Sequence, residues 1–183
     1  MVRIPALTTP EAAPAAVRKL LDGVQLRLGR VPNLHRTLAL SPAALQGYVA
    51  LDRALRGGAL SAATRTRIAL ALTERAGADY CLSAHIHFAR TAVGLDDAEI
   101  TANRNGASND PTADAAVRFA TALARSGGAV CDAELAAFKA AGYGDEAAIE
   151  ITALIALHTL TTTLNKLARL EVDFPVVVAR TAA

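Results

Sequence analysis

The chain has 183 residues, of which 52% are hydrophobic but only 4% aromatic, with no tryptophan and a formal charge of +2. That length suits one domain with a core of Ala, Leu, Val and Ile. The charge is too small and too evenly spread to call for nucleic acid or a membrane surface as a partner.

The first residues, "MVRIPALTTPEAAPAAVRKL", lack the apolar centre of a signal peptide, so secretion is not expected. Helix punctuation then recurs along the chain. Thr9-Pro10-Glu11 predicts a capped start and Gly23 its stop. Ser41-Pro42 opens a second helix, "AALQGYVALDRAL", which Gly57-Gly58 ends. Ser61 caps "AATRTRIALALTERA", and Asp79 caps "YCLSAHIHFARTAV" with Gly94 behind it. Asp96 with Glu99 forms a capping box, and Asn109 or Asp110 with Pro111 opens "TADAAVRFATALARS". Asp132 starts "AELAAFKAAG", and Asp145 starts a long segment that runs to about Ala168.

Within that last segment, 151–165 is the longest uncharged hydrophobic stretch, yet it falls short of the roughly 20 residues a spanning helix needs and carries His158. It reads as a buried or interface helix. Val and Ile fall at helical rather than alternating spacing, and the tail "EVDFPVVV" is read as an extended arm over about 170–183. The expectation is a single all-α domain over 1–183, with seven to nine helices. The apolar composition favours a homo-oligomer.

The stretch "ERAGADYCLSAHIHFAR", residues 74–90, carries the chemistry. With Asp79 as cap, Cys81 lies in a first helical turn, where unpaired amides and the helix dipole favour a thiolate. Its pKa is therefore expected to fall below that of a free thiol. His85, four residues on, shares its face and can take the thiol proton; His87 points elsewhere. Glu74 can orient a histidine if the turn at Ala76-Gly77 folds it back. The competing reading is that Cys81 is a small apolar core residue, as buried free cysteines commonly are. Metal is not expected, because too few ligands converge, and no cofactor is implied. Cys131 reads as a semi-buried small residue, and its distance from Cys81 in sequence rules out a disulfide framework, consistent with a reducing cytoplasm. His35 is expected at a helix end or facing solvent, His158 as a satisfied core or interface histidine, and Arg65, Arg67 and Arg75 on a solvated face.

The core motif "LSAATRTRIALALTERAGADYCLSAH", residues 60–85, resembles that of the carboxymuconolactone decarboxylase/AhpD-like alkylhydroperoxidase family. "RVPNLHRTLALSPAALQGYVALDRAL" upstream and "LNKLARLEVDFP" downstream are similar to its peroxidase-related branch, so the likeness covers nearly the whole chain. The resemblance implies a helical trimer or hexamer and a C-x-x-C pair at a helix start. In that pair the second cysteine meets peroxide and the first resolves the sulfenic acid, while a glutamate and a histidine relay the proton.

Cys81 matches the peroxide-reacting cysteine and His85 the histidine after the pair. The resolving cysteine's position holds Ala78, and the upstream glutamate's holds Thr66, with Glu74 as a possible substitute. The implied activity is thiol-dependent reduction of a hydroperoxide at Cys81, completed by an external thiol reductant. The alternatives are a lactone decarboxylase, which needs no cysteine, and a non-catalytic oligomeric ligand-binding protein.

Overall fold

The computed structural model describes residues 2–9 and 12–180, and among these every regular element is helical. Nine α-helices follow one another: α1 (Ala15–Leu28), α2 (Asn33–Leu38), α3 (Pro42–Arg56), α4 (Ala62–Arg75), α5 (Asp79–Phe88), α6 (Asp97–Arg104), α7 (Pro111–Ser126), α8 (Asp132–Ala140) and α9 (Asp145–Ala168). Side-chain caps fix four of the starts. Ser41 accepts from the Ala44 amide, Ser61 from Thr64, Asp96 from Glu99 and Asp110 from Ala113.

Other boundaries differ from the sequence reading. α1 begins at Ala15 behind Pro14 and runs through Gly23 to Gly29, whose φ of 71° makes it the true stop. Pro10 and Glu11, predicted to open that helix, lie outside the described residues. Asp79 is the first helical residue of α5 rather than its cap, because its carboxylate accepts instead from the Ala179 amide at 2.9 Å. Cys131 and Gly144, not Asp132 and Asp145, occupy the cap positions of α8 and α9. Past Phe88 the backbone of α5 widens into a π-turn over Ala89–Val93 and stops at Gly94, φ 76°.

α4 is the central helix. Every residue from Ile68 to Glu74 is buried, and it packs against α5, α6, α7 and α9. One apolar cluster joins α4 to α7, α8 and α9 through Ile68, Val117, Phe138 and Ile151. A second joins α1, α2 and the start of α5 through Leu21, Leu38, Tyr80 and Cys81. α9, 24 residues long, satisfies the length and hydropathy of a spanning helix. It nevertheless packs against α3, α4, α5 and α7 and buries His158, Thr161, Thr162 and Asn165, as a core helix does.

The loop after α3 is pinned to α9 where Glu150 accepts from the amides of Ala59 and Leu60. A Cβ on Gly58 would stand 2.0 Å from that carboxylate, so the close approach favours glycine there. After α9 the chain runs extended across α2, α4, α5 and α6. Asn33 donates to Glu171 O, Val177 N–H to Ser83 Oγ, and Arg180 N–H to Glu74 Oε1.

Candidate functional site

Cys81 lies at the third position of α5, behind Ala78, which offers no side-chain cap. The first-turn amides therefore keep their donors free of any capping side chain, whereas the sequence reading made Asp79 the cap. The sulfur, however, is 3% exposed and sits at the edge of the Leu38–Tyr80 cluster. Burial raises its pKa from 9.0 to about 12, against a smaller opposing effect of a hydrogen bond with Thr161. The expected lowering is thus reversed. Desolvation of a whole thiolate outweighs the partial charge of a helix end, which for a surface group is worth at most about 1 kcal/mol.

Cys81 lines a cavity of about 560 Å³ bounded by α2, α3, α4, α5, α9 and the C-terminal arm. His85 lies one turn along α5 and meets His158 of α9 edge to face, ring centroids 5.0 Å apart. Burial lowers His85 to about 4, and burial together with the neighbouring His85 lowers His158 to about 3, so both imidazoles are neutral near pH 7. Leu154, Leu157, His158 and Thr161 line the same wall because their spacing puts them on one face of α9. His35 of α2 and Tyr48 of α3 also line the cavity, their rings 5.5 Å apart. Burial also pushes the Tyr48 phenol above its usual range. At the rim Asp52 pairs with Arg56 at 2.8 Å and with Arg27 at 3.6 Å, and Arg65 lies alongside.

The predicted residues separate into two groups. Cys81, His85 and Thr66 share the cavity, although the Thr66 hydroxyl is spent on Ala62 O at 2.9 Å. His87 also reaches it, packing on Phe88 and Phe174. Ala78 is 1% exposed within the apolar cluster and does not line the cavity. Glu74 does not line it either. Its buried carboxylate accepts from Arg104 Nε at 2.6 Å and from the Arg180 amide, so it anchors the arm instead of orienting a histidine.

Cys131 is exposed at the start of α8, its amide donating to Glu134, and is not part of the cavity wall. Arg67, expected in solvent, is mostly covered and pairs with Glu99 at 2.6 Å. His35, expected at a helix end or in water, is buried, and with Tyr48 it is what sequence reasoning missed. Tyr48 reads as ordinary core, and nothing local to His35 marks it. Thr161 was missed as well, although its place three residues after His158 puts it on the same helix face. Among the described residues no group of His, Cys, Asp and Glu is arranged to hold a metal.

The carboxymuconolactone decarboxylase family profile matches residues 42–126, which span α3 to α7 and include Cys81 and His85. No curated protein matches the chain. Several solved structures share the fold. A peroxidase-related protein with an alkylhydroperoxidase AhpD core, from Ralstonia eutropha JMP134, superposes with a TM-score of 0.83 at 24% identity, covering 94% of this chain and 92% of its own. A peroxidase-related protein from Silicibacter sp. TM1040 gives 0.78 at 22% identity, covering 92% and 91%. The debrominase Bmp8, in complex with 2,3,4-tribromopyrrole, gives 0.76 at 23% identity, covering 93% and 91%.

Proposed function

We propose that this chain, whose residues 42–126 match the carboxymuconolactone decarboxylase family profile, reduces an organic hydroperoxide at Cys81 and is recharged by an external thiol. The observation that carries this reading is that Cys81 lines one cavity together with two neutral imidazoles, His85 and His158. The sulfur attacks the terminal peroxide oxygen, forming S–O and breaking O–O. The thiol proton passes through His85 to the departing alkoxide, leaving cysteine sulfenic acid and an alcohol. A neutral imidazole suits such a relay, because it takes the proton on one nitrogen and releases another without holding a charge in a buried site.

Ala78 provides no second thiol, so an incoming thiol displaces water from the sulfenic acid, and a second thiol releases a disulfide and restores Cys81. The apolar walls and the size of the cavity favour a hydroperoxide with an aromatic or branched body. A debrominase of this fold that takes 2,3,4-tribromopyrrole supports an occupant of that size. The test is cumene hydroperoxide followed by dimedone, with peptide mass analysis. A dimedone adduct on Cys81, retained in Cys131→Ser and absent in Cys81→Ser, is expected; an unlabelled Cys81 overturns the reading.

The guanidiniums of Arg27, Arg56 and Arg65 at the rim favour a second reading, acid/base decarboxylation of an anionic lactone by His85 and His158. Turnover of 4-carboxymuconolactone that survives Cys81→Ser would establish it. We further propose assembly into a homo-oligomer, supported by exposed Ile149, Leu160 and Leu167 on α9. Light scattering at micromolar concentration is expected to return a multiple of 18.9 kDa.

A further inference from the structure

Among the described residues, His35 is alone in having two buried side-chain polar atoms, Nδ1 and Nε2, with no hydrogen-bond partner. His35 is 5% exposed and lines the same cavity as Cys81 and His158. Its position is fixed. α2 is held by the Leu34 amide donating to the Tyr80 hydroxyl at 3.0 Å, and the His35 ring meets Tyr48 edge-on, 5.5 Å away at 70°. An aliphatic or phenylalanine side chain would satisfy this packing without stranding two polar atoms, so His35 costs the folded state stability that its packing does not require. Unpaired polar groups held at such a cost gather where a ligand completes them.

We propose that His35 is a recognition residue for the molecule that fills the cavity, and that this molecule carries a neutral hydroxyl-type group on an aromatic or branched apolar body. The imidazole is neutral and offers one N–H donor and one bare nitrogen acceptor, matching a group that both donates and accepts. It offers no counter-charge to a buried anion, and at the rim the guanidiniums of Arg27 and Arg56 are already turned to Asp52. The apolar body is set by Leu34, Leu55, Phe88, Leu154, Leu157 and Phe174. This rests on the reading of the cavity as a substrate site and narrows it. The hydroperoxide would be gripped at two ends, the reacting oxygens at Cys81 and a second polar group at His35.

Binding of 4-ethylphenol and of ethylbenzene to the Cys81→Ser protein, followed by ligand-observed NMR, tests this without any thiol chemistry. The phenol is expected to bind about five- to tenfold more tightly than the hydrocarbon, the effect of one good hydrogen bond. His35→Phe keeps the ring and its contact with Tyr48 and is expected to erase that preference while raising the Tm. His35→Gln, which restores a donor and an acceptor, is expected to recover part of it. In the parent protein, 15N-labelled histidine is expected to show the ring nitrogens of His35 shifting on addition of the phenol.

Equal affinity for the two probes, no binding of either, or a preference that persists in His35→Phe overturns the proposal. Should His35→Phe fail to fold, the two-probe comparison and the nitrogen shifts decide alone. A Cys81 that resists dimedone would instead refute the peroxidase reading and leave this result untouched.

Discussion

Alkylation of Cys81 as a function of pH measures the balance between helix start and desolvation most directly. Burial lifts the thiol from 9.0 to about 12, three units, so below pH 9 its thiolate fraction lies about a thousandfold under that of an ordinary thiol. Cys131, exposed on α8, is the reference in the same molecule. With iodoacetamide and quantitative peptide mapping, the Cys81 rate is expected to climb about tenfold per pH unit from 7 to 10 without levelling, since only the thiolate reacts.

The slope, unlike the absolute rate, does not depend on how easily the reagent enters the cavity. Thr161→Val removes the hydrogen bond that lowers the pKa and is expected to slow the reaction further at every pH. Linkage gives a second sign. Between pH 9 and 12 the unfolded chain releases a proton that the folded one keeps, so stability falls as pH rises, by about 1.4 kcal/mol per unit. A Cys81 rate that levels off below pH 8 would refute the reasoning and show that the first-turn amides win.

Three further outcomes are expected. Ala78→Cys sets a thiol at the cap of α5, whose side chain reaches the third helical residue as in any capping box, so mild oxidation is expected to leave only Cys131 titratable by thiol reagent; three free thiols would refute the cap geometry. His35, His85 and His158 are lowered from 6.5 to about 4, 4 and 3, so as pH drops below 6.5 the unfolded chain takes protons the folded one refuses, and each costs about 1.4 kcal/mol per pH unit. The urea midpoint is expected to fall steeply from pH 6 to 4, less so in His35→Phe. Glu74→Gln strips the charge opposite Arg104 and Arg180 and is expected to cost about 3–5 kcal/mol, as breaking a buried pair does, and to speed proteolytic cutting of the 170–180 arm.

The helices were legible because their punctuation is chemical. Ser41, Ser61, Asp96 and Asp110 cap where their oxygens meet free amides, and glycines with positive φ close α1, α7 and the π-turn. The misread start of α5 has an identifiable cause. Asp79 looks like a cap, but its carboxylate is claimed by an amide 100 residues away, a competition that local sequence does not display. At the site, the i,i+4 spacing of Cys81 and His85 placed both on the cavity, whereas the thiol's pKa went the other way because depth of burial is a property of the whole packing. Glu74 misled for the same reason as Asp79: the C-terminal arm, distant in sequence, takes its charge. His35 and Tyr48 were invisible, since α2 and α3 join α4, α5 and α9 around one cavity only in the folded chain.

A thiol held neutral by burial and a thiol that attacks peroxide are compatible under one condition, which a pair of rate profiles isolates. Alkylation by iodoacetamide expels iodide, which accepts no proton, so the thiol must ionise beforehand and the full cost of burying the thiolate enters the rate. Peroxide attack expels an alkoxide that takes a proton as it leaves, so a relay through His85 can move that proton during the step and avoid the buried anion. For cumene hydroperoxide the Cys81 rate is therefore expected to rise well under tenfold per pH unit between 7 and 9, while alkylation rises the full tenfold. In His85→Ala the two slopes are expected to converge, because the proton must then leave first in both reactions. Identical slopes in the parent protein would mean that no relay operates. Cys81 would then be a packed core thiol beside two histidines that act on something else.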